Sequence, residues 1–288
     1  MKNKSDKIEM SNVISSTYCK SNVYAKKENN EYVFIDIRTM VDTNKIKLAT
    51  DQDFSDSNKS AIERLYLYHQ VELKGFDLDY CKTSRIDYLF KPMRDLYFVL
   101  WEIDTENSER TIVDSSETII SPKQNIVRVF PELKKKQRGR RVVDWGELIK
   151  IDKEKYSSIE EFSYNVATIG NYMPVPSCVQ RILNNFFCER FDMLLVCIKE
   201  YFVKGKSSKK FSDEMKKWLD QYKGMKEQEN WKRFVDSNYL KGSFVDEKYE
   251  VVTYNGELKQ LSQFIHKRSI VMIEEYEKRL KELKISYK

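Results

Sequence analysis

The clearest pattern of apolar and polar positions along the 288-residue chain is helical and lies in its second half. Two overlapping capping boxes in Ser157-Ser158-Ile159-Glu160-Glu161 predict a helix start, because a hydroxyl and a carboxylate there satisfy free first-turn amides. Phe162 and Val166 follow on one face, and the helix should end by Gly170-Asn171. Pro174 and Pro176 then forbid continuation, since proline lacks a donor and disfavours helix in the residue before it. Val179, Ile182, Leu183 and Phe186 form one stripe; Phe187, Phe191, Leu194, Leu195, Ile198, Tyr201 and Phe202 form another. The two stripes do not join at 3.6 residues per turn, which predicts a break near residues 184–189 and a long buried helix after it. Met215, Trp218, Leu219 and Tyr222 mark a further helix, and Trp231, Phe234 and Val235 a short one. Residues 257–284 form a terminal helix with Leu261, Ile265, Met272, Tyr276, Leu280 and Leu283 inward.

The first half patterns differently. Residues 1–30 are polar and read as an N-terminal arm, with a short ordered piece at 13–24. Residues 32–40 alternate as a strand, and 96–103, 118–120 and 126–130 are short, aromatic and β-branched runs that predict strands. Between them Ser60-Ala61-Ile62-Glu63 is a capping box that opens a helix ending at Gly75. Its stripe of Ile62, Leu65, Tyr66, His69 and Leu73 puts His69 on the inward face. The expectation is an α+β fold, a β-rich N-terminal half packed on a helical C-terminal half. Residues 31–288 are read as one unit with a soft internal boundary near 150.

Composition narrows the class. Eight Gly and five Pro are too few for a collagen-like chain or a turn-dense β-sandwich. The longest apolar runs, such as 193–198, are far short of the roughly 20 residues a membrane helix needs. The first twenty residues lack the apolar core of a secretory signal. Five cysteines, at 19, 81, 178, 188 and 197, are odd in number and irregular in spacing, which suits reduced thiols and predicts a cytoplasmic location.

Charge points to the one candidate interface. The net charge is +6, and residues 134–141 carry six cations and no acid, so the rest of the chain sums to zero. Lys134, Lys135, Lys136, Arg138, Arg140 and Arg141 could neutralise phosphates, with Phe130 and Trp145 flanking as stacking partners for a single strand. The same run also reads as a solvated loop. DNA or RNA is the expected partner, and no membrane is.

Catalytic chemistry is harder to find. Two histidines exclude a His-rich metal site, and Cys178, Cys188 and Cys197 lack CxxC spacing, so no metal or cofactor is expected. Asp51, Asp53 and Ser55 alternate as in a calcium loop, but Asp56 and Ile62 stand where its glycine and final acid belong. No phosphate-binding glycine loop and no nucleophile elbow occurs. His69, Asn171, Asn185 and Arg190 could line a pocket beneath the two prolines; each also reads as a turn or core residue.

Residues 168–176, TIGNYMPVP, followed by CERFDMLLVCIKEYF at 188–202 and KKWLDQY at 216–222, resemble a bacterial family of uncharacterised function. Its members carry a T-I-G-N-aromatic-x-x-x-P run, an acidic-R-F-D helix and a similar helical C-terminus. The stretches 55–78 and 115–120 are similar to it as well. The resemblance spans residues 30–280 and implies one co-evolved unit, with no activity to transfer. A second likeness, to the HNH-type nuclease tail of modification-dependent restriction enzymes, rests on Ile169-Gly170-Asn171 and a downstream Asn184 or Asn185. The histidine box of those enzymes has no counterpart, since no histidine lies between His69 and His266. Together these features suggest an intracellular bacterial nucleic-acid-binding protein, in phage defence or on a mobile element. The alternatives are an enzyme with its pocket near His69, Asn171 and Arg190, or a module for a protein partner or a second copy.

Overall fold

The structure is a computed structural model that describes residues 20–40, 58–73, 91–103, 115–137, 140–150, 157–176 and 178–282. It opens on a hairpin of β1 (Ala25–Glu28) and β2 (Glu31–Phe34), paired antiparallel from Ala25↔Phe34 to Glu28↔Glu31. Asn29 and Asn30 turn it with φ of 52° and 67°, the left-handed pair that a two-residue hairpin asks for. These residues fall within the stretch expected as an arm.

Helix α1 (Ala61–Leu73) begins on the expected capping box: the Ser60 amide donates to Glu63 Oε2 at 2.6 Å, and the Glu63 amide to Ser60 Oγ at 3.2 Å. A second acid supplements it, because Glu160 accepts from the amides of Ala61 and Ile62 at 2.6 and 3.1 Å. The strand expected over 32–40 stops at Phe34. Buried Asp36 then binds the Arg38 guanidinium (2.8 Å from Nε) and Arg64 (2.8 Å), and a polar knot of that kind ends strand pairing.

Two expected strands are helices. Residues 96–103 lie largely in α2 (Lys91–Trp101), and 126–130 largely in α3 (Pro122–Val129). In α2 the buried Leu96, Tyr97, Val99 and Leu100 occupy one helical face, so packing outweighs the strand preference of aromatic and β-branched side chains. In α3, Ser121 precedes Pro122 at the first helical position, where the fixed φ of proline favours a helix start.

The remaining elements are β3 (Ser115–Thr118), β4 (Lys134–Gln137), β5 (Arg140–Val143), α4 (Trp145–Lys150), α5 (Ser157–Asn165), β6 (Tyr172–Val175), α6 (Cys178–Phe187), α7 (Phe191–Lys204), α8 (Asp213–Asp220), α9 (Asn230–Ser237) and α10 (Leu258–Glu282). The fold is α+β, with strands mainly in the N-terminal half and helices dominating the C-terminal half. The break expected near 184–189 falls at residues 188–190, between α6 and α7. Strand β3 pairs antiparallel with β6, from Ser115↔Val175 to Thr118↔Tyr172, and ties the two halves together. Among the described residues no helix is long and apolar enough to cross a membrane.

The Thr168-Ile169-Gly170-Asn171 run is the seat of α10. The Gly170 amide donates to Ser269 Oγ at 2.9 Å, and Thr168 Oγ1 lies 3.2 Å from the same hydroxyl. A Cβ on Gly170 would stand 2.1 Å from the Ile265 carbonyl oxygen, so only glycine lets the two backbones approach this closely. Fully buried Arg268 reaches from α10 to the carbonyls of Gly170 (2.6 Å), Tyr172 (2.8 Å) and Asn238 (3.0 and 3.1 Å). Burial pushes its pKa down to about 9, which leaves it cationic at neutral pH.

Candidate nucleic-acid interface

The basic segment is a β-ribbon. Strands β4 and β5 pair antiparallel with Lys134↔Val143, Lys135↔Val142, Lys136↔Arg141 and Gln137↔Arg140. The backbone thereby brings five of the six expected cations into one hairpin. Its root is clamped: Leu133 and Val143 are buried, and the Asp144 amide donates to the Leu133 carbonyl at 2.7 Å. A short 3-10 turn, Pro131–Leu133, leads into the ribbon from α3. Lys134 and Lys135 are exposed, and Lys135 Nζ lies 3.3 Å from Asp144 Oδ2. An exposed pair of this kind contributes at most about 1 kcal/mol, so a phosphate can compete for the lysine. Arg138 lies outside the described residues, as do the side chains of Lys136, Arg140, Arg141 and Trp145. Phe130 is half-buried and packs against the core. A two-stranded ribbon is one of the two elements that the major groove of DNA, about 12 Å wide, can admit.

The residues expected around a pocket have separate settings. Asn171 is fully buried: its Oδ1 accepts from the Ile120 amide at 2.8 Å, and its Nδ2 donates to the Ile120 and Val166 carbonyls at 3.1 and 2.9 Å. Asn185 is exposed on α6. Arg190 donates to Asp192 Oδ1 at 2.8 Å and to the Tyr254 carbonyl at 3.0 Å, with its guanidinium 4.2 Å above the Tyr254 ring. His69 lies on α1, and its side chain is outside the described residues.

No family model, curated protein or solved structure matches this chain. What it can do is read from its own residues.

One titratable group beside Arg190 escapes the sequence. Glu189 sits in the α6–α7 break, where Cys188 and Glu189 both take positive φ, 49° and 61°, without glycine. It is 1 % exposed, and its Oε2 has no hydrogen-bond partner. Burial pushes its pKa up to about 7, against the pull of Arg128 and Lys123. Arg128 closes the site from α3 by donating to Asn125 Oδ1 (2.7 Å), the Tyr254 hydroxyl (2.9 Å) and the Cys188 carbonyl. The only sequence signal is an acid inside the gap between two apolar stripes.

Proposed function

We propose that this chain is an intracellular nucleic-acid-binding protein whose β4–β5 ribbon contacts a phosphate backbone through Lys134, Lys135, Lys136, Arg138, Arg140 and Arg141. The observation that carries this reading is the paired ribbon itself, which places five cations, with no acid among them, on two adjacent strands. A pre-formed ribbon rooted by Leu133 and Val143 loses less conformational entropy on binding than a free loop would. The cysteines Cys178, Cys188 and Cys197 are unpaired, in keeping with a reducing compartment.

Six cations against duplex DNA would give a slope of log K against log salt of up to about −5, at roughly 0.9 per phosphate. Fluorescence anisotropy with labelled single- and double-stranded DNA and RNA, between about 50 and 200 mM salt, measures that slope. The expected result is salt-dependent binding that collapses when Lys134, Lys135, Arg138, Arg140 and Arg141 are all changed to glutamine. Lys134→Ala alone should lower the slope by about one. Binding that survives the fivefold variant unchanged would remove the ribbon from any role in it.

A further inference from the structure

A second site lies between α5 and α10. The two helices border a cavity of about 490 Å³, a size that takes small ligands, lined by Glu161 and Asn165 from α5 and Ser262, Gln263, His266 and Lys267 from α10. All six are polar, and their spacing explains why they meet. Glu161 and Asn165 are four residues apart on one helix; Ser262 with His266, and Gln263 with Lys267, are four apart on the other.

Three features separate this cavity from an ordinary wet crevice. First, the charges of opposite sign come from opposite walls, Glu161 on α5 and Lys267 on α10, and among the described residues neither is engaged in an ion pair. Secondly, Ser262 is 1 % exposed, yet its hydroxyl has no hydrogen-bond partner. An unpaired buried hydroxyl is destabilising, and a bound polar group would relieve that cost. Thirdly, two of the lining side chains, Asn165 and His266, have partners of their own. Asn165 Nδ2 donates to the Glu161 carbonyl at 3.1 Å, and the His266 ring meets the edge of Phe34 at 5.4 Å. Phe34 in turn accepts a hydrogen bond from the Tyr164 hydroxyl on α5 through its carbonyl.

We infer that this cavity binds a small zwitterion, a molecule carrying both an ammonium and a carboxylate group, as the free α-amino acids do. Glu161 receives the ammonium and Lys267 the carboxylate, while Ser262, Gln263 and His266 supply further polar contacts between them. A ligand with one charge leaves the opposite wall unmatched. The site uses none of the ribbon residues and stands independently of nucleic-acid binding.

The test is a thermal-shift screen of the intact chain at pH 7.5 with the free L-α-amino acids one at a time, followed by calorimetric titration of any that stabilise. Acetate and methylammonium serve as single-charge controls. At least one amino acid should raise Tm saturably, with neither control doing so. Glu161→Gln and Lys267→Gln, both on exposed positions, should each weaken its Kd at least tenfold. Ser262→Ala gives an internal check, since it should weaken the ligand while leaving the free protein as stable or more so. The inference fails if no amino acid stabilises the chain. It fails equally if acetate binds as tightly as the amino acid, or if binding survives Glu161→Gln unchanged.

Discussion

At the scale of single residues, Glu189 carries the clearest measurable consequence. Its carboxyl is buried, one oxygen is unpaired, and its pKa stands near 7 instead of 4.5. A folded-state pKa raised above the unfolded value means that the native protein holds the proton more tightly. The contribution is therefore fully present below about pH 4.5 and is lost as pH rises through 7. The loss is on the order of 3 kcal/mol across that window. Glu189→Gln keeps the shape and removes the titration, so it should match the parent near pH 4.5 and exceed it by about that amount at pH 8. Urea unfolding of both proteins at several pH values measures the difference; parallel profiles would show that Glu189 ionises without penalty. Gly170 is the opposite kind of residue, one whose side chain must be absent. Gly170→Ala forces a Cβ against the Ile265 carbonyl oxygen and Ser269 Oγ, 2.1 and 2.3 Å away, and should cost about 3 kcal/mol or more. Adding Ser269→Ala should not restore stability, because the nearer obstacle is backbone. Full rescue in the double variant, read by chemical denaturation, would contradict this account.

At the scale of elements, the sequence is legible where apolar spacing runs long enough to exclude the alternative. Helices α7 and α10 carry stripes of several turns, and the structure has helices there. Residues 96–103 and 126–130 are too short for that: an apolar aromatic run of such length suits a strand or a buried helix equally. The deciding signal for α3 was local, Pro122 after Ser121, whereas for α2 it was the contact with α10, which is not local information at all. The basic segment shows the converse. Its composition was plain but its shape was not, since Lys and Arg are weak strand formers, and the one cue in the sequence is a glycine, Gly139, within the basic run. The α5–α10 cavity was half legible. Ser262 and His266 on one helical face follow from spacing alone, but Glu161 comes from about a hundred positions earlier, and nothing in either stretch announces the other.

At the scale of the molecule, the two apolar clusters draw on both ends of the chain. One joins Ile62, Ile126 and Val143 to Leu195, Phe234 and Ile265; the other joins Tyr24, Phe34 and Leu96 to Tyr239, Met272 and Tyr276. Helix α10 contributes to both, and Arg268 fastens it to the backbone carbonyl groups of Gly170, Tyr172 and Asn238. Such an arrangement couples the halves: releasing α10 uncovers both clusters together, so neither half keeps a closed core. We therefore expect a single unfolding transition despite the change of pattern near residue 150. The four tryptophans, Trp101 and Trp145 before the change and Trp218 and Trp231 after it, make this measurable. Fluorescence of variants retaining only Trp101 or only Trp218 should report the same urea midpoint as the helical circular dichroism. Arg268→Met leaves the carbonyls of Gly170, Tyr172 and Asn238 without their guanidinium and should lower all these midpoints together, in step with a loss of about 3 kcal/mol of stability. Separate midpoints, or an Arg268→Met effect confined to the Trp218 probe, would mean that the helical half closes its core without the other.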